Sequence, residues 1–279
     1  MALKITISAA VGFCAGVQAA VKKARESARK YGRVVMLGDI VHNEKVVREL
    51  SKLGVEVVPN LDQIEPSVPV LFRSHGTPVP VWARARQRGL TVVDATCPLV
   101  RQIHEEARML AAEGRKIIII GDKNHEEVEG IASQVENPLI VSTVQEAEKL
   151  PLLKKVGVVA QSTQIMENVS AIINVLTTKV ADLRFINTIC RPTRQRQEQI
   201  RELALKNDVM LVVGSKNSAN TRRLAEIAKK LNTETYHIED AMQVDPNWFT
   251  GRTSVGIAAG ASTPVEVVEE VVKKITKFT

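Results

Sequence analysis

Three cysteines in this chain are each followed by a glycine at the same interval: 24 residues separate Cys14 from Gly38, Cys97 from Gly121 and Cys190 from Gly214. Unrelated cysteines have no reason to keep such a spacing. Each lies at the end of an apolar or β-branched run ("KITISAAVGFC", "LTVVDATC", "LRFINTIC"), and each glycine closes a second run ("VVMLGD", "IIIIGD", "MLVVGS"). Between the two runs lies helical sequence of about four turns. Past the glycines come three polar turns that open helices: "VHNEKVVREL", "KNHEEVEGIA" and "KNSANTRRLAEIA". Three further strands end in small polar clusters, "VLFRSHGTP", "VGVVAQST" and "VGIAAGASTP", and each leads into another helix. Strands that alternate with helices in this way pair in parallel, because a parallel neighbour is reached only by a long crossover.

The expected fold is therefore α/β: three similar α/β domains with parallel sheets in a pseudo-threefold arrangement around one central site. The repeat puts the first domain at residues 14–96, the second at 97–188 and the third at 189–279. The third copy has no cysteine strand after it, so the N-terminal strand within residues 1–13 is expected to complete it. Ligands of open α/β sheets sit beyond the carboxyl ends of the strands, where every polar cluster named above falls.

Composition narrows the function. With 279 residues and 44% hydrophobic content the chain can bury a large core. A net charge of +7 is compatible with nucleic-acid binding, but the basic residues are spread over helical stretches such as "VKKARESARK". Aromatic residues are only 3%, too few for the stacking platforms of a single-strand binder. The expected partner is an anionic small molecule or an acidic protein, with no nucleic acid. The apolar N-terminus has one Lys4 in place of a basic region and runs into an amphipathic helix, unlike a secretory signal. No apolar run reaches the roughly 18 residues of a membrane span, so the reading is a soluble, cytoplasmic protein without a membrane partner. Three cysteines in a reducing compartment do not make a disulfide framework.

Three thiols collected at one site have two metal readings. Zinc accepts three cysteines and one further ligand, but structural zinc sites draw their ligands in close pairs, and the chain has no CxxC. Widely separated cysteines suit a [4Fe-4S] cluster with three thiolate ligands and one open iron. Glycines beside Cys14, at 12 and 16, leave the backbone there free of Cβ atoms. His42, His75 and His125 all fall at expected strand ends, whereas His104 and His237 read as surface or packing residues. Ser218, Asn220, Ser262, Ser162 and Thr163 lie near helix starts, where capping is the ordinary role of such residues and anion binding uses the same N–H groups. Glu127 is either a first-turn glutamate favoured by the helix dipole or a proton donor to a departing hydroxide.

The motifs "GFCAGV", "VHN", "RSHG", "DATCPLV", "HEEVEG", "TIC" and "GSKNSANTRRL", in this order, resemble the LytB/IspH family. Its members are 4-hydroxy-3-methylbut-2-enyl diphosphate reductases, at the end of the non-mevalonate isoprenoid pathway. The resemblance covers essentially residues 4 to 275. It implies an iron-sulfur reductase whose [4Fe-4S] cluster is held by Cys14, Cys97 and Cys190. It implies a diphosphate bound by His42, His75, Ser218, Ala219, Asn220 and Ser262, with His125 also facing the substrate, Ser162 toward the substrate hydroxyl and Glu127 delivering a proton. It further implies electrons from ferredoxin or flavodoxin, an allylic diphosphate substrate, and isopentenyl and dimethylallyl diphosphates as products. A monomer or weak homodimer is expected. The chain departs from the family pattern at Ser162, where a threonine is usual, at Ala219, where a serine is usual, and at Arg191 and Pro192 after the third cysteine. The competing reading is a non-catalytic metal- or cluster-binding sensor with a basic nucleic-acid-binding surface.

Overall fold

The computed structural model describes residues 3–278, so residues 1–2 and 279 of the expected third domain lie outside the described residues. The chain begins with β1 (Lys4–Ile7), α1 (Ala15–Tyr31), β2 (Val34–Leu37), α2 (Glu44–Lys52), β3 (Val55–Val58), β4 (Val70–Phe72), α3 (Val79–Gln87) and β5 (Val92–Asp94). There follow α4 (Pro98–Ala112), β6 (Lys116–Ile120), α5 (Glu126–Ala132), β7 (Leu139–Val141), α6 (Val144–Glu148), β8 (Leu153–Ala160), α7 (Met166–Thr177) and β9 (Val180–Phe185). The remainder comprises α8 (Arg191–Lys206), β10 (Val209–Val213), α9 (Ala219–Leu231), β11 (Thr235–Ile238), β12 (Ser254–Ala259) and α10 (Val265–Thr276).

Among the described residues the strands form three four-stranded sheets, ordered β3-β2-β4-β5, β7-β6-β8-β9 and β11-β10-β12-β1. Every pairing is parallel. The order is the same three times. The strand that ends in the repeated glycine lies second, the strand that ends in a polar cluster third, and the strand before the cysteine at one edge. β1 lies along β12 with Lys4 opposite Ser254 and Ile7 opposite Ile257. Each sheet also holds a short outer strand, β3, β7 or β11, that the sequence pattern did not reveal. These have only three or four residues, mostly half-buried or exposed, and so lack the long apolar run that marks their neighbours.

The described residues divide into two compact units. One comprises residues 19–41 and 46–190 and contains the first two sheets; the other comprises residues 3–18, 42–45 and 191–278 and contains the third. In the first of these units, "IIII" at 117–120 shows why parallel strands read as continuous apolar runs. Ile117 and Ile119 pack against Ile103, Ala107 and Leu110 of α4 and Val128 and Ile131 of α5. Ile118 and Ile120, on the other face, pack against Val169, Ile172 and Leu176 of α7. Both faces are covered, so alternation with polar residues would bury unsatisfied groups. In the other unit, Val267, Val268, Val271 and Ile275 of α10 lie on Val209, Leu211, Val213, Val255 and Ile257. No helix among the described residues is long and apolar enough to cross a membrane.

The buried stripe of α4 runs Val100, Ile103, His104, Ala107, Leu110, with an imidazole in the middle of an aliphatic row. His104 is 8% exposed. Burial, aided by the positive charge of Arg108, lowers its pKa from 6.5 to about 4. The unfolded chain therefore takes up a proton at this residue before the folded one does. Its contribution to stability is complete above pH 6.5 and is lost as pH falls toward 4. Chemical unfolding at pH 7 and pH 4.5 should show a decline that is smaller by about 2 kcal/mol in His104→Phe than in the wild type. Equal declines in the two proteins would show that His104 takes no part.

Candidate active site

One backbone contact recurs at all three cysteines. The N–H of Cys97 donates to the carbonyl of Ser74 at 3.0 Å, that of Cys190 to Ser162 at 3.0 Å, and that of Cys14 to Ala261 at 3.1 Å. In each case the acceptor lies two residues beyond the strand that neighbours the cysteine's own: β4, β8 and β12. The repeat in the sequence is thus a repeat of backbone geometry. All three thiols are free of disulfides and partly exposed. Partly exposed, reduced cysteines on tethered loops suit thiolate ligation of a metal or an iron-sulfur cluster.

In the unit of the first two sheets, the "DATC" turn is held by Asp94. Its Oδ1 accepts from the N–H of Thr96 at 2.9 Å and from the Thr96 hydroxyl at 2.5 Å, while Oδ2 accepts from Arg101 at 2.7 Å. Cys97 then occupies the N-cap of α4, with Pro98 at the first helical position. After β4, the Ser74 hydroxyl donates to Ile40 O at 2.8 Å and orients the turn that bears His75. After β6, Asn124 adopts a left-handed conformation (φ 63°) and delivers His125 to the N-cap of α5. His125 Nδ1 accepts the N–H of Glu127 at 3.1 Å, which leaves the proton of a neutral ring on Nε2. The His75 and His125 rings meet edge to face, 5.8 Å apart.

Glu127 is 2% exposed. Its Oε1 accepts the N–H of Ser162 at 2.6 Å and its Oε2 accepts the Ser162 hydroxyl at 2.9 Å. Since the Ser162 carbonyl also receives the Cys190 N–H, one residue joins the buried carboxyl to a cysteine loop. Ser162 caps no helix; the N-cap of α7 is Ile165. Thr163 follows it in the same turn.

In the third-sheet unit, Gly12 takes φ +82°, where a side chain is strained although the nearest atom to an added Cβ lies 3.7 Å away. The need is for a backbone path, not for space. Arg196 of α8 donates to Gly12 O at 2.8 Å, and Gln199 Oε1 accepts from the Ser8 hydroxyl at 2.5 Å and from Ala10 N–H at 2.9 Å. Gly16 lies inside α1. His42 belongs to this unit, and its carbonyl accepts the Ser262 hydroxyl at 3.3 Å. Ser218 is the N-cap of α9 and accepts the Thr221 N–H at 3.4 Å, so the capping role is realised there. Ala219 and Asn220 form the first turn. Asn220 Nδ2 is buried without a hydrogen-bond partner among the described residues.

His104 and His237 are packing residues. His237 is partly buried, with its Nε2 2.9 Å from Gly214 O, and burial lowers its pKa. Residues that brace these turns escaped the sequence reading: Arg196 and Gln199 at the Cys14 loop, and Gln161, whose Oε1 accepts the Asp122 N–H at 3.0 Å in the turn that leads to His125. The polar positions 196 and 199 lie one turn apart in "RPTRQRQEQI", where patterning reads them as solvated surface.

Residues 5–276 match the family model described as LytB protein. The chain is 42% identical over 277 residues to the 4-hydroxy-3-methylbut-2-enyl diphosphate reductase of Geobacter sulfurreducens, covering 99% of this chain and 98% of that one. It is 41% identical over 279 residues to the protein of the same name from Aquifex aeolicus, covering 98% and 96%. A solved structure described as (E)-4-hydroxy-3-methyl-but-2-enyl diphosphate reductase, the terminal enzyme of the non-mevalonate pathway, superposes with a TM-score of 0.71 at 41% identity and 99% coverage of both chains. The structure of the E-1-hydroxy-2-methyl-but-2-enyl-4-diphosphate reductase from Plasmodium falciparum gives a TM-score of 0.94 at 28% identity, covering 98% of this chain and 88% of that one. A family model that spans residues 5–276 and near-complete alignment with relatives at about 40% identity lead to one conclusion: this chain belongs to the LytB protein family.

Proposed function

We propose that this protein reduces 4-hydroxy-3-methylbut-2-enyl diphosphate to isopentenyl and dimethylallyl diphosphates, the last step of the non-mevalonate isoprenoid pathway. Two electrons and two protons enter, the allylic C–O bond breaks, and the hydroxyl leaves as water. The observation that carries this reading is the double hydrogen bond from Ser162 to the buried Glu127, made by the same residue whose carbonyl takes the Cys190 N–H. It is supported by the reductase names of the relatives, which leave the alternative of a nucleic-acid-binding sensor without support.

The cofactor is an iron-sulfur cluster. In the finer reading it is a [4Fe-4S] cluster held by Cys14, Cys97 and Cys190, one thiolate from the loop after each cysteine strand. When bound, it supplies electrons one at a time and a Lewis-acidic iron with an open position. The chain's own residues do the rest. Glu127 delivers the proton that turns the departing hydroxide into water. The Ser162 hydroxyl donates to Glu127 when the carboxyl is ionised and accepts from it when it is protonated, so it can follow the proton without moving. Its loss of the usual threonine methyl leaves that hydroxyl more rotational freedom. His125, with Nε2–H as its donor, joins His42 and His75 in holding the diphosphate. Ser218, the Ala219 N–H, Asn220 and Ser262 complete the cradle at the start of α9, where helix N–H groups favour an anion. Asn220 Nδ2, buried and without a partner among the described residues, supports this role, because a buried donor is costly until something accepts from it.

The same proposal takes ferredoxin or flavodoxin as the electron donor, the cytoplasm as the location and a monomer or weak homodimer as the working form, with no nucleic-acid partner. It keeps three domains, 14–96, 97–188 and 189–279, the last completed by residues 1–13.

Protein purified without oxygen should be brown and contain about four irons and four sulfides per chain. Cys97→Ser should lower both contents and abolish turnover. A colourless but fully active wild type would refute the cluster. In Glu127→Gln, iron content and diphosphate affinity should stay at wild-type values while kcat falls by about 100-fold or more. Undiminished kcat would remove Glu127 from proton delivery.

A further inference from the structure

Arg73 has no part in the mechanism above, yet it touches the segments that carry it. It follows β4 directly and precedes Ser74 and His75. Its side chain is 19% exposed, and Nη1 donates to Glu126 Oε1 at 3.2 Å. Glu126, 26% exposed, stands between His125 and Glu127 in the first turn of α5. The same guanidinium lies over Gly38, the glycine that ends β2. A Cβ there would be 2.7 Å from Nη1 and 3.3 Å from Cζ, and Gly38 itself is left-handed at φ +68°. One cation, carried by the turn that also bears His75, is thus packed against the end of β2 and against the helix start bearing His125 and Glu127.

The charges explain why the contact matters. The first turn of α5 holds three acids, Glu126, Glu127 and Glu129, beside a histidine assigned to a diphosphate. A bare carboxylate at 126 would repel that ligand, and partial burial weakens the screening that would mute the repulsion. Arg73 neutralises it and ties the helix start to the turn after β4 with an oriented, charge-assisted hydrogen bond.

We infer that Arg73 is a positioning residue for diphosphate reduction: its ion pair with Glu126 sets His125 and Glu127 against His75 and removes a negative charge from beside the diphosphate. The inference rests on the function proposed above. The test is the set Arg73→Glu, Glu126→Arg and the double exchange, with iron content, melting temperature, steady-state kinetics and the affinity for isopentenyl diphosphate by calorimetry. Each single reversal should raise KM and the dissociation constant by about tenfold or more, with iron content and melting temperature unchanged. The double exchange should recover both to within about threefold of wild type, the coupling expected of residues in direct contact. Singles with wild-type KM, or a double as impaired as its singles, would overturn the inference. Should a reversal fail to fold, Arg73→Met decides: weaker binding of isopentenyl diphosphate supports the role, and unchanged binding refutes it. A wild-type protein that neither binds diphosphate nor turns over substrate would refute the proposed function and this inference together. A working wild type with silent variants refutes only the latter.

Discussion

The hydrogen bond from each cysteine N–H to the loop after the adjacent strand is the constraint on which the rest of the molecule depends. It forms at Cys97 with Ser74, at Cys190 with Ser162 and at Cys14 with Ala261, at 3.0 to 3.1 Å. A parallel sheet brings neighbouring carboxyl ends to the same side, so a chain leaving one strand can reach the loop of the next with its backbone alone. The thiol then needs no side-chain partner to find its place. What varies among the three loops is how the remainder is braced: Asp94 and Arg101 at the second cysteine, and Arg196 with Gln199 at the first.

The same loops carry the polar groups, which explains how chemistry is coupled to packing. Ser162 takes part in the cysteine contact through its carbonyl and in the acid contact through its N–H and hydroxyl. Its three hydrogen bonds leave little freedom for the carboxyl of Glu127. The strands beneath are covered on both faces, so the loops rest on sheets that have little room to yield.

Much of this was legible in the chain itself. The 24-residue interval located three equivalent strand pairs, and the glycines at its end do close β2, β6 and β10. The outer strands β3, β7 and β11 were not legible, because three or four half-exposed residues carry no periodic signal. Ser218 was readable as a cap from its position before a helix, but Ser162 and Ser262 looked alike and cap nothing. Their partners, Glu127 and the His42 carbonyl, are distant in sequence, and only tertiary structure supplies such pairings. Arg196 was hidden for a similar reason: an arginine on a helix reads as solvated until a backbone carbonyl is seen to face it.

The pairing of β1 with β12 sets an order of events in synthesis. Lys4 is made well ahead of its partner Ser254. The edge strand leaves the ribosome long before the sheet it joins exists, and its contacts span nearly the whole chain. The first cysteine's loop cannot close on Ala261 until that residue has emerged, whereas Cys97 and Cys190 find their acceptors among residues already made. The Cys14 thiol, though translated first of the three, is the last to be seated, so assembly of the complete set of thiols waits for the third sheet.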